Sequence, residues 1–355
     1  MSLQPPADID DVTPSWLTDA LSERYPGVRV ASVELANRST ATNLHLRLAV
    51  TYDEQAGAPD TLFAKLAPLD PAHAAAIGAA TMGEREARFY ADVAPLLALR
   101  VPTAHYVHTG DDGSFVLLLE DLTASGCSIS DGTWAVPGDL AAGALEELAE
   151  MHARFEDGDL RQKVVPWAAE RPPQANEFTL RTLRGVIDEH RDELSEAYVA
   201  VGELYLERHA EISALWDRGP RTLVHGDAHI GNVFFDGPRV GFLDFGLLAV
   251  STPMRDVTYF LTVAMDPEDR RPAEADLIRH YLDVRNSLGG TEIRFDDAWQ
   301  AYRMHAGYGV LASFLSLVPP YNGEDQRAFS EAFRARATSA LDDLETVEAM
   351  RPLLG

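Results

Sequence analysis

Cysteine is nearly absent from this 355-residue chain, which contains only Cys127. A single cysteine excludes an intramolecular disulfide, and the lack of such bonds is typical of proteins in a reducing compartment. The first residues, MSLQPPADIDDVTPSW, are acidic and lack the apolar core of a secretory signal. These features together predict a cytoplasmic protein.

Positive charge is also scarce. The chain has 30 Lys and Arg residues against 56 Asp and Glu residues, which gives a formal net charge of -26. Non-specific binding of nucleic acid requires Lys and Arg to displace the counterions of the phosphates, so this balance excludes that class of function. The acidic residues are spread evenly along the chain, which favours a role in solubility over a site for a cationic substrate.

Long apolar runs and two common nucleotide-binding motifs are missing as well. No apolar run is long enough to cross a bilayer, so no membrane partner is expected. Only Lys65 and Lys163 are lysines, and neither follows a glycine, so the P-loop motif is absent. No G-x-G-x-x-G opens a helix either, which removes support for a dinucleotide-binding fold. Codon bias explains the shortage of lysine, but Lys65 lies in the apolar segment TLFAKLA and is a candidate functional residue.

The distribution of apolar residues differs between the two parts of the chain. Up to residue 120, alternating patterns predict a small antiparallel sheet of five strands packed with helices. The strands are expected at 28–35, 44–52, 61–67, 104–110 and 114–120, the helices at 13–25 and 82–98, and a loop at 36–43. After residue 139 helical spacing dominates, interrupted by a hairpin that turns at residues 236–238. The sequence therefore predicts an α+β protein with an N-lobe over 1–120 and a larger, mainly helical C-lobe over 121–355.

The segment LVHGDAHIGNVFF, at 223–235, places several polar side chains between two apolar runs. Its HGDAH core is compatible with a structural turn or with a metal site, since His-x-Asp-x-His offers three ligands. Asn232 and Asp244 form an all-oxygen pair, which suits Mg²⁺ better than Zn²⁺. A zinc-dependent hydrolase and a magnesium-dependent phosphotransferase are thus both possible interpretations.

Phosphoryl transfer requires few residues, because catalysis depends on positioning and on neutralising the charge of the phosphates. Asp227 can accept the proton of an attacking hydroxyl. Asn232 and Asp244 can hold Mg²⁺. Lys65 can contact the α- and β-phosphates, and Glu86, on the following helix, can pair with Lys65 and direct it.

Six motifs carry a resemblance to a known family. The chain resembles the aminoglycoside phosphotransferase and choline kinase superfamily, which has a bilobal protein-kinase-like fold, and is most similar to its bacterial branch related to ecdysteroid kinases. The motifs occur in family order: FAK at 63–65, EARFY at 86–90, VLLLEDL at 116–122, HGDAHIGN at 225–232, LDFG at 243–246 and MRDVTYFL at 254–261. The spacing of HGDxHxxN and DFG is the most specific of these signals.

The resemblance implies a role for each matching position. Asp227 matches the catalytic aspartate, and Asn232 and Asp244 match the ligands of Mg²⁺. Lys65 matches the lysine that binds the phosphates of ATP, and Glu86 its helix partner. The hinge corresponds to Glu120 through Leu122, where backbone groups would meet adenine.

The resemblance also suggests roles for three residues around the motif. His229 is expected either to contact the γ-phosphate or to orient the loop. His225 is expected to support the turn from beneath, and Asp256 to tie down the catalytic loop.

Two positions depart from the family pattern. The segment NRSTATN contains no glycine, unlike the glycine-rich loop of protein kinases, so Ser39 and Thr40 are the candidates for phosphate contacts there. Phe245 occupies a position where many relatives have Trp.

The resulting expectation is an ATP- and Mg²⁺-dependent phosphotransferase that acts on a hydroxyl of a small molecule. The segment from Asp244 to Met254 is short for docking a peptide, so no protein partner is expected. An aminoglycoside, a choline-like alcohol, a sugar or a steroid-like alcohol would fit as acceptor. The alternatives are an inactive nucleotide-binding module and a metallohydrolase.

Overall fold

The computed structural model describes residues 3–40, 43–68, 79–110, 113–168, 177–319 and 323–354. The chain divides into two compact units. The first unit comprises Met1–Ser128 and Leu243–Leu248, and the second comprises Ile129–Phe242 and Ala249–Gly355. The first unit thus extends eight residues past the predicted boundary and takes in a separate short segment. The assignment of nucleotide binding to residues 1–120 and of catalysis to residues 121–355 stays a prediction.

A five-stranded antiparallel sheet forms the centre of the first unit, as the sequence predicts. Its strands follow the spatial order β1-β2-β3-β5-β4. Leu44, Leu46 and Leu48 alternate with more exposed residues along the second strand and are fully buried. The strand bounds are β1 Arg29–Thr40, β2 Leu44–Glu54, β3 Thr61–Leu66, β4 Ala104–Thr109 and β5 Phe115–Glu120.

The prediction of a loop at 36–43 is wrong for its first part. β1 continues to Thr40, and Arg38, Ser39 and Thr40 pair in register with β2. The register shifts between Leu35 and Asn37, which is the sign of a bulge. A bulge increases the local twist while the pairing continues, so polar residues extend this strand despite the loss of apolar alternation.

Two helices accompany this sheet. Helix α1, Pro14–Leu21, starts where the sequence predicts, because the Thr13 hydroxyl accepts a hydrogen bond from the Trp16 amide and Pro14 occupies the first turn. The predicted helix at 82–98 is interrupted. Helix α2, Ala79–Arg88, passes into a π-helical turn at Phe89–Val93 and a 3-10 turn at Ala94–Leu96. Pro95 lacks the amide hydrogen that a continuing α-helix would use.

The second unit is mainly helical. Its short strands are β7 Thr222–Val224, which pairs with β10 Ala249–Ser251, and the hairpin of β8 Val233–Asp236 and β9 Arg239–Phe242, while β6 is Ser128–Ile129. The hairpin turns at the predicted place. The helices are α3 Gly138–Arg154, α4 Gly158–Val164, α5 Glu177–His190, α6 Glu196–Trp216, α7 Met254–Val263, α8 Pro267–Ser287, α9 Phe295–His305, α10 Tyr308–Ser313, α11 Glu324–Asp343 and α12 Thr346–Met350.

Buried aromatic and aliphatic side chains hold these helices together. Tyr198, Tyr205 and Trp216 of α6 belong to a core cluster that also includes residues of α5, α10 and α11. The HGDAH segment follows the short strand β7 directly. Among the described residues, no helix is both long and apolar enough to cross a membrane.

Candidate active site

Lys65 and Glu86 form a buried ion pair in the first unit. Lys65 lies on β3 and Glu86 on α2, and the Lys65 Nζ atom donates a hydrogen bond to Glu86 Oε2 over 2.7 Å. Lys65 is 4% exposed and Glu86 is 1% exposed. Burial alone would lower the pKa of Lys65, but the carboxylates of Asp244 and Glu86 raise it, so the ammonium stays charged.

Asp244 supplies a second carboxylate to the same lysine. Its Oδ2 atom lies 3.3 Å from Lys65 Nζ, and about a third of its side chain is exposed. The backbone of Asp244 has a φ of 62°, a left-handed conformation that is uncommon for a residue with a Cβ atom. Such strain persists only where surrounding contacts impose it and is frequent at functional sites. Lys65 therefore connects two acids from distant parts of the chain.

Stacked aromatic rings hold the segment 243–248 within the first unit. Phe245 stacks on Phe89 with ring centroids 3.5 Å apart and an angle of 6° between the rings. Arg85 donates a hydrogen bond to the carbonyl of Leu248 over 3.1 Å. Phe89 lies in the π-helical turn, so the interruption of the predicted helix coincides with the anchor for Asp244.

Glu120 and Leu122, the predicted hinge residues, are both held by local contacts. The Glu120 carboxylate accepts hydrogen bonds from Arg100 and from the Thr103 amide. Burial raises the pKa of Glu120, but these hydrogen bonds outweigh it and lower the pKa. Leu122 is buried and its carbonyl accepts a hydrogen bond from the Cys127 amide. The side chain of Glu120 is thus structural, and a ligand would meet the backbone.

The predicted phosphate contacts at the start of the sheet are only partly described. Ser39 lies on β1 and is exposed. The side chain of Thr40 lies outside the described residues.

Asp227, in the second unit, is held by neutral hydrogen-bond donors. The Tyr259 hydroxyl donates to Asp227 Oδ1 over 3.0 Å. The Asn232 Nδ2 atom donates to the Asp227 carbonyl over 2.9 Å and to Asp227 Oδ2 over 3.2 Å. Burial and Asp227 raise the pKa of Tyr259 well above its usual value, so the hydroxyl stays protonated and keeps donating. Tyr259 is not among the residues predicted from the sequence, although it lies within the MRDVTYFL motif.

His229 orients the loop that carries Asp227. Its Nδ1 atom accepts a hydrogen bond from the Gly231 amide over 2.9 Å and caps the 3-10 turn Ile230–Asn232. Nδ1 is therefore an acceptor, which assigns the proton of a neutral imidazole to Nε2. Nε2 lies 3.7 Å from Asp227 Oδ2. Of the two expected roles, this geometry matches the orienting one.

A buried network supports the loop from beneath. Asp256 is fully buried and accepts hydrogen bonds from the amides of His225 and Gly226 over 2.6 and 2.9 Å. Its Oδ2 atom also lies 3.1 Å from His152 Nε2, and His152 Nδ1 lies 2.8 Å from the Tyr281 hydroxyl. Burial would raise the pKa of Asp256, but the bonds from His152 and Gly226 lower it. Asp256 is thus an ionised anchor for the loop.

The sequence predicts a supporting role for His225 but gives none to His152 and Tyr281, the other side chains of this network. The His225 Nδ1 atom accepts a hydrogen bond from the Asp227 amide over 3.2 Å, which agrees with the expected supporting position. His152 and Tyr281 were missed. His152 interrupts the apolar face of the helical segment LAEMHARF, and this is the signal that could have identified it.

The donors present suit a hard cation such as Mg²⁺. Asn232 directs its amide nitrogen to Asp227, which leaves its oxygen as the atom able to bind a cation. Asp244 has a partly exposed carboxylate. In the part of the chain that the structure describes, no group of three or more His, Cys, Asp or Glu side chains could hold a metal ion.

Comparisons with known proteins agree with the motifs. Residues 41–293, more than two thirds of the chain, match the model of the phosphotransferase enzyme family. No curated protein sequence matches the chain.

Solved structures show the same fold. The GDP and kanamycin complex of the aminoglycoside phosphotransferase APH(2")-IIIa has a TM-score of 0.52 at 16% identity and covers 94% of this chain and 98% of its own. Choline kinase LicA from Streptococcus pneumoniae gives 0.50 at 15% identity, with 93% and 98% covered. A Ralstonia eutropha JMP134 protein provisionally designated an aminoglycoside phosphotransferase gives 0.52 at 15%, with 92% and 98% covered. The predicted α+β, protein-kinase-like fold and the resemblance to this superfamily are confirmed.

Proposed function

This chain belongs to the phosphotransferase enzyme family, and we propose that it transfers the γ-phosphate of ATP, with Mg²⁺, to a hydroxyl of a small molecule. The observation that carries the proposal is the contact of Lys65 with Asp244 over 3.3 Å. It joins the candidate phosphate-binding lysine to the candidate metal-binding acid, although the two residues are far apart in the sequence. A purely structural ion pair would not require the left-handed backbone of Asp244.

Each candidate residue has a role in nucleotide binding under this proposal. Lys65 binds the α- and β-phosphates, and Glu86 fixes its direction. Asn232 and Asp244 would hold Mg²⁺, which neutralises phosphate charge when bound. Backbone groups of Glu120 through Leu122 receive the adenine. Ser39 and Thr40 contribute hydroxyl or amide groups near the phosphates.

Asp227 is the proposed general base. Its carboxylate accepts the proton of the acceptor hydroxyl while the acceptor oxygen forms a bond to the γ-phosphorus. The bond from that phosphorus to the bridging oxygen of ADP breaks, and the products are ADP and a phosphate monoester. Tyr259 and Asn232 hold the carboxylate in one orientation without neutralising its charge. His229 is proposed to keep the loop in the shape that presents Asp227.

The alternatives make different predictions. An inactive nucleotide-binding module would not need Asp227, Asn232 and Asp244 together, yet all three are present. A metallohydrolase would need a three-ligand zinc site. The nucleotide base also requires a test, because APH(2")-IIIa was solved with GDP. A cytoplasmic location is part of the proposal and is supported by the single cysteine.

A screen of hydroxylated compounds tests the proposal. The purified protein is incubated with MgATP or MgGTP and each compound, and a mass gain of one phosphate is recorded. We expect a phosphorylated product whose rate of formation falls by about 100-fold or more with Asp227→Asn and which is absent after removal of Mg²⁺ by EDTA. Phosphorylation at an unchanged rate in Asp227→Asn would refute the assignment of the base. Hydrolysis of compounds without nucleotide, dependent on bound zinc, would instead support the hydrolase.

A further inference from the structure

Arg255 is a buried cation in the second unit, and no described acidic side chain pairs with it. It lies on α7 and is 5% exposed. Its guanidinium lies over the ring of Tyr308, 4.4 Å from the centroid. Among the residues that the structure describes, no side chain forms an ion pair with Arg255, and its buried Nη1 atom has no hydrogen-bond partner. A cation–π contact offsets only part of the cost of removing a charge from water.

Other deeply buried arginines of this unit are paired with acids. Arg270 binds Glu274 and Asp343, and Arg285 binds Glu156. A third arginine, Arg336, pairs with Asp266 over 2.9 Å. The chain has 56 acidic residues, so a shortage of acids does not explain the different state of Arg255. An unpaired buried charge is costly, which indicates that Arg255 is kept for a ligand.

A series of side-chain contacts links Arg255 to the candidate base. Arg255 and Tyr259 are one turn apart on α7 and share a face of the helix. The Tyr259 hydroxyl contacts Asp227, and the rings of Tyr259 and Tyr308 are 5.6 Å apart. Tyr308, the ring under the Arg255 guanidinium, thus lies next to the residue that holds Asp227.

Aromatic rings form a wall beside these two groups. Tyr259, Phe329 and Phe333 pack edge-on around the His229 ring, with centroids between 5.6 and 6.4 Å away. Tyr308 and Phe329 are only partly buried, so parts of their rings stay accessible. The wall offers an apolar surface to the body of a ligand.

We propose that Arg255 binds a carboxylate of the acceptor, whose ring or apolar body lies against this aromatic wall. The substrate class is therefore a hydroxy acid with an apolar body, and this inference rests on the proposed phosphotransferase function. The guanidinium presents several donors in a plane, which matches the two oxygens of a carboxylate. A cationic acceptor such as an aminoglycoside or choline would be repelled by the same group.

Paired ligands test the inference on the unmodified protein. 3-Phenyllactate and its primary amide share the ring and the hydroxyl and differ only in the charge of the acyl group. Their binding is measured by calorimetry without nucleotide. We expect the acid to bind at least about tenfold more tightly than the amide, since both carry the same apolar contacts. Equal affinities, or no binding of either compound, would overturn the inference.

Variants then locate the effect. Arg255→Gln should abolish the preference for the acid, and Arg255→Lys should keep part of it. Arg294→Gln, which removes an exposed arginine of the same unit, is the matched control and should behave as the unmodified protein. Circular dichroism checks that the variants fold. If Arg255→Gln does not fold, the Arg255→Lys variant decides, because it retains the charge but loses the fork geometry and should show a smaller preference.

The two proposals fail separately. A preference for the acid without any phosphorylated product would refute the phosphotransferase function and leave an anion site. Phosphorylation that is equally fast for acids and amides would refute the role of Arg255 and leave the phosphotransferase function intact.

Discussion

Two buried cations, one in each unit, are held in opposite ways. In the first unit Lys65 contacts two carboxylates, those of Glu86 and Asp244. In the second unit Arg255 contacts an aromatic ring, and no ion pair joins it to another described residue. The acids differ in the same way. Asp244 is bound to an ammonium group, whereas Asp227 is held by the neutral donors of Tyr259 and Asn232.

This difference indicates what each group is built to do. A lysine clamped between two acids keeps a fixed position and a fixed charge, as a residue that orients phosphates must. A carboxylate held by neutral donors keeps its orientation and remains free to accept a proton. Four experiments test this contrast, beginning with the variants expected to change turnover most.

The largest effect is expected from replacing Asp227 and Asp244 one at a time and comparing the two variants. Asp227→Asn keeps the shape and removes the base, so turnover should fall by about 10²–10⁴-fold, while MgATP should still raise the melting temperature. Asp244→Asn should lose turnover and stabilisation by MgATP together, because it removes metal charge. Turnover and thermal shifts with and without MgATP measure both. Loss of the MgATP shift in Asp227→Asn, with its retention in Asp244→Asn, would reverse the assigned roles.

Replacing Lys65, which contacts the carboxylates of Glu86 and Asp244, should affect both activity and stability. Lys65→Met should lower turnover by about 10²–10³-fold, as for the loss of one charge-stabilising donor. It also leaves the buried Glu86 carboxylate without its cation, which should reduce the free energy of unfolding by about 3 kcal/mol. Glu86→Gln in the same protein should restore part of the stability and none of the turnover. Urea unfolding and rate measurements test this. If the double variant is no more stable than Lys65→Met alone, the unpaired charge of Glu86 is not the cause of the lost stability.

Removing one neutral donor in the second unit should have an intermediate effect. Tyr259→Phe deletes the hydrogen bond to Asp227 and should lower turnover by about tenfold to a hundredfold. Its loss leaves the carboxylate without one of the contacts that orient it, so kcat should fall while the KM for MgATP stays unchanged. Tyr302→Phe is the matched control, since the Tyr302 hydroxyl also donates to a carboxylate, that of Glu274, and it should leave both constants unchanged. An equal fall of kcat in the two variants would assign Tyr259 to packing alone.

The smallest effect concerns stability in acid. Burial and the charge of Lys65 lower the pKa of His45 to about 4. An unfolded histidine has a pKa of about 6.5, so the unfolded state binds the proton more tightly and stability falls between pH 6.5 and 4. His45→Gln should flatten this part of the stability curve by about 2 kcal/mol, whereas His280→Gln, on the surface of the second unit, should leave it unchanged. If the free energy of unfolding changes equally with pH in both variants, His45 does not cause the loss of stability in acid.

Local patterns in the sequence predict much of this molecule and fail where distant residues meet. The alternation of apolar residues predicts the sheet, and Thr13 with Pro14 predicts the start of α1. The family motifs predict the pairing of Lys65 with Glu86, and their atoms lie 2.7 Å apart. Phe89, in the π-helical turn, stacks on Phe245, which lies much later in the chain, and no local pattern predicts this contact.

The missed residues of the second unit have the same cause. His152, Tyr281 and Tyr259 act through partners that only the tertiary structure brings near, and their spacing alone is equally typical of a helix core. No described acid pairs with Arg255, and no local pattern in the sequence predicts this.

Because the chain passes between its two units more than once, the first unit cannot be exchanged between related proteins as one continuous segment. The first unit is completed only by Leu243–Leu248, so the chain changes unit after residues 128, 242 and 248. A gene fragment ending at residue 128 would encode Lys65 and Glu86 but neither Asp244 nor the Phe245 ring. Exchange of the first unit between relatives by a single crossover would therefore separate Lys65 from Asp244, and a functional chimaera requires that the short return segment be exchanged with it.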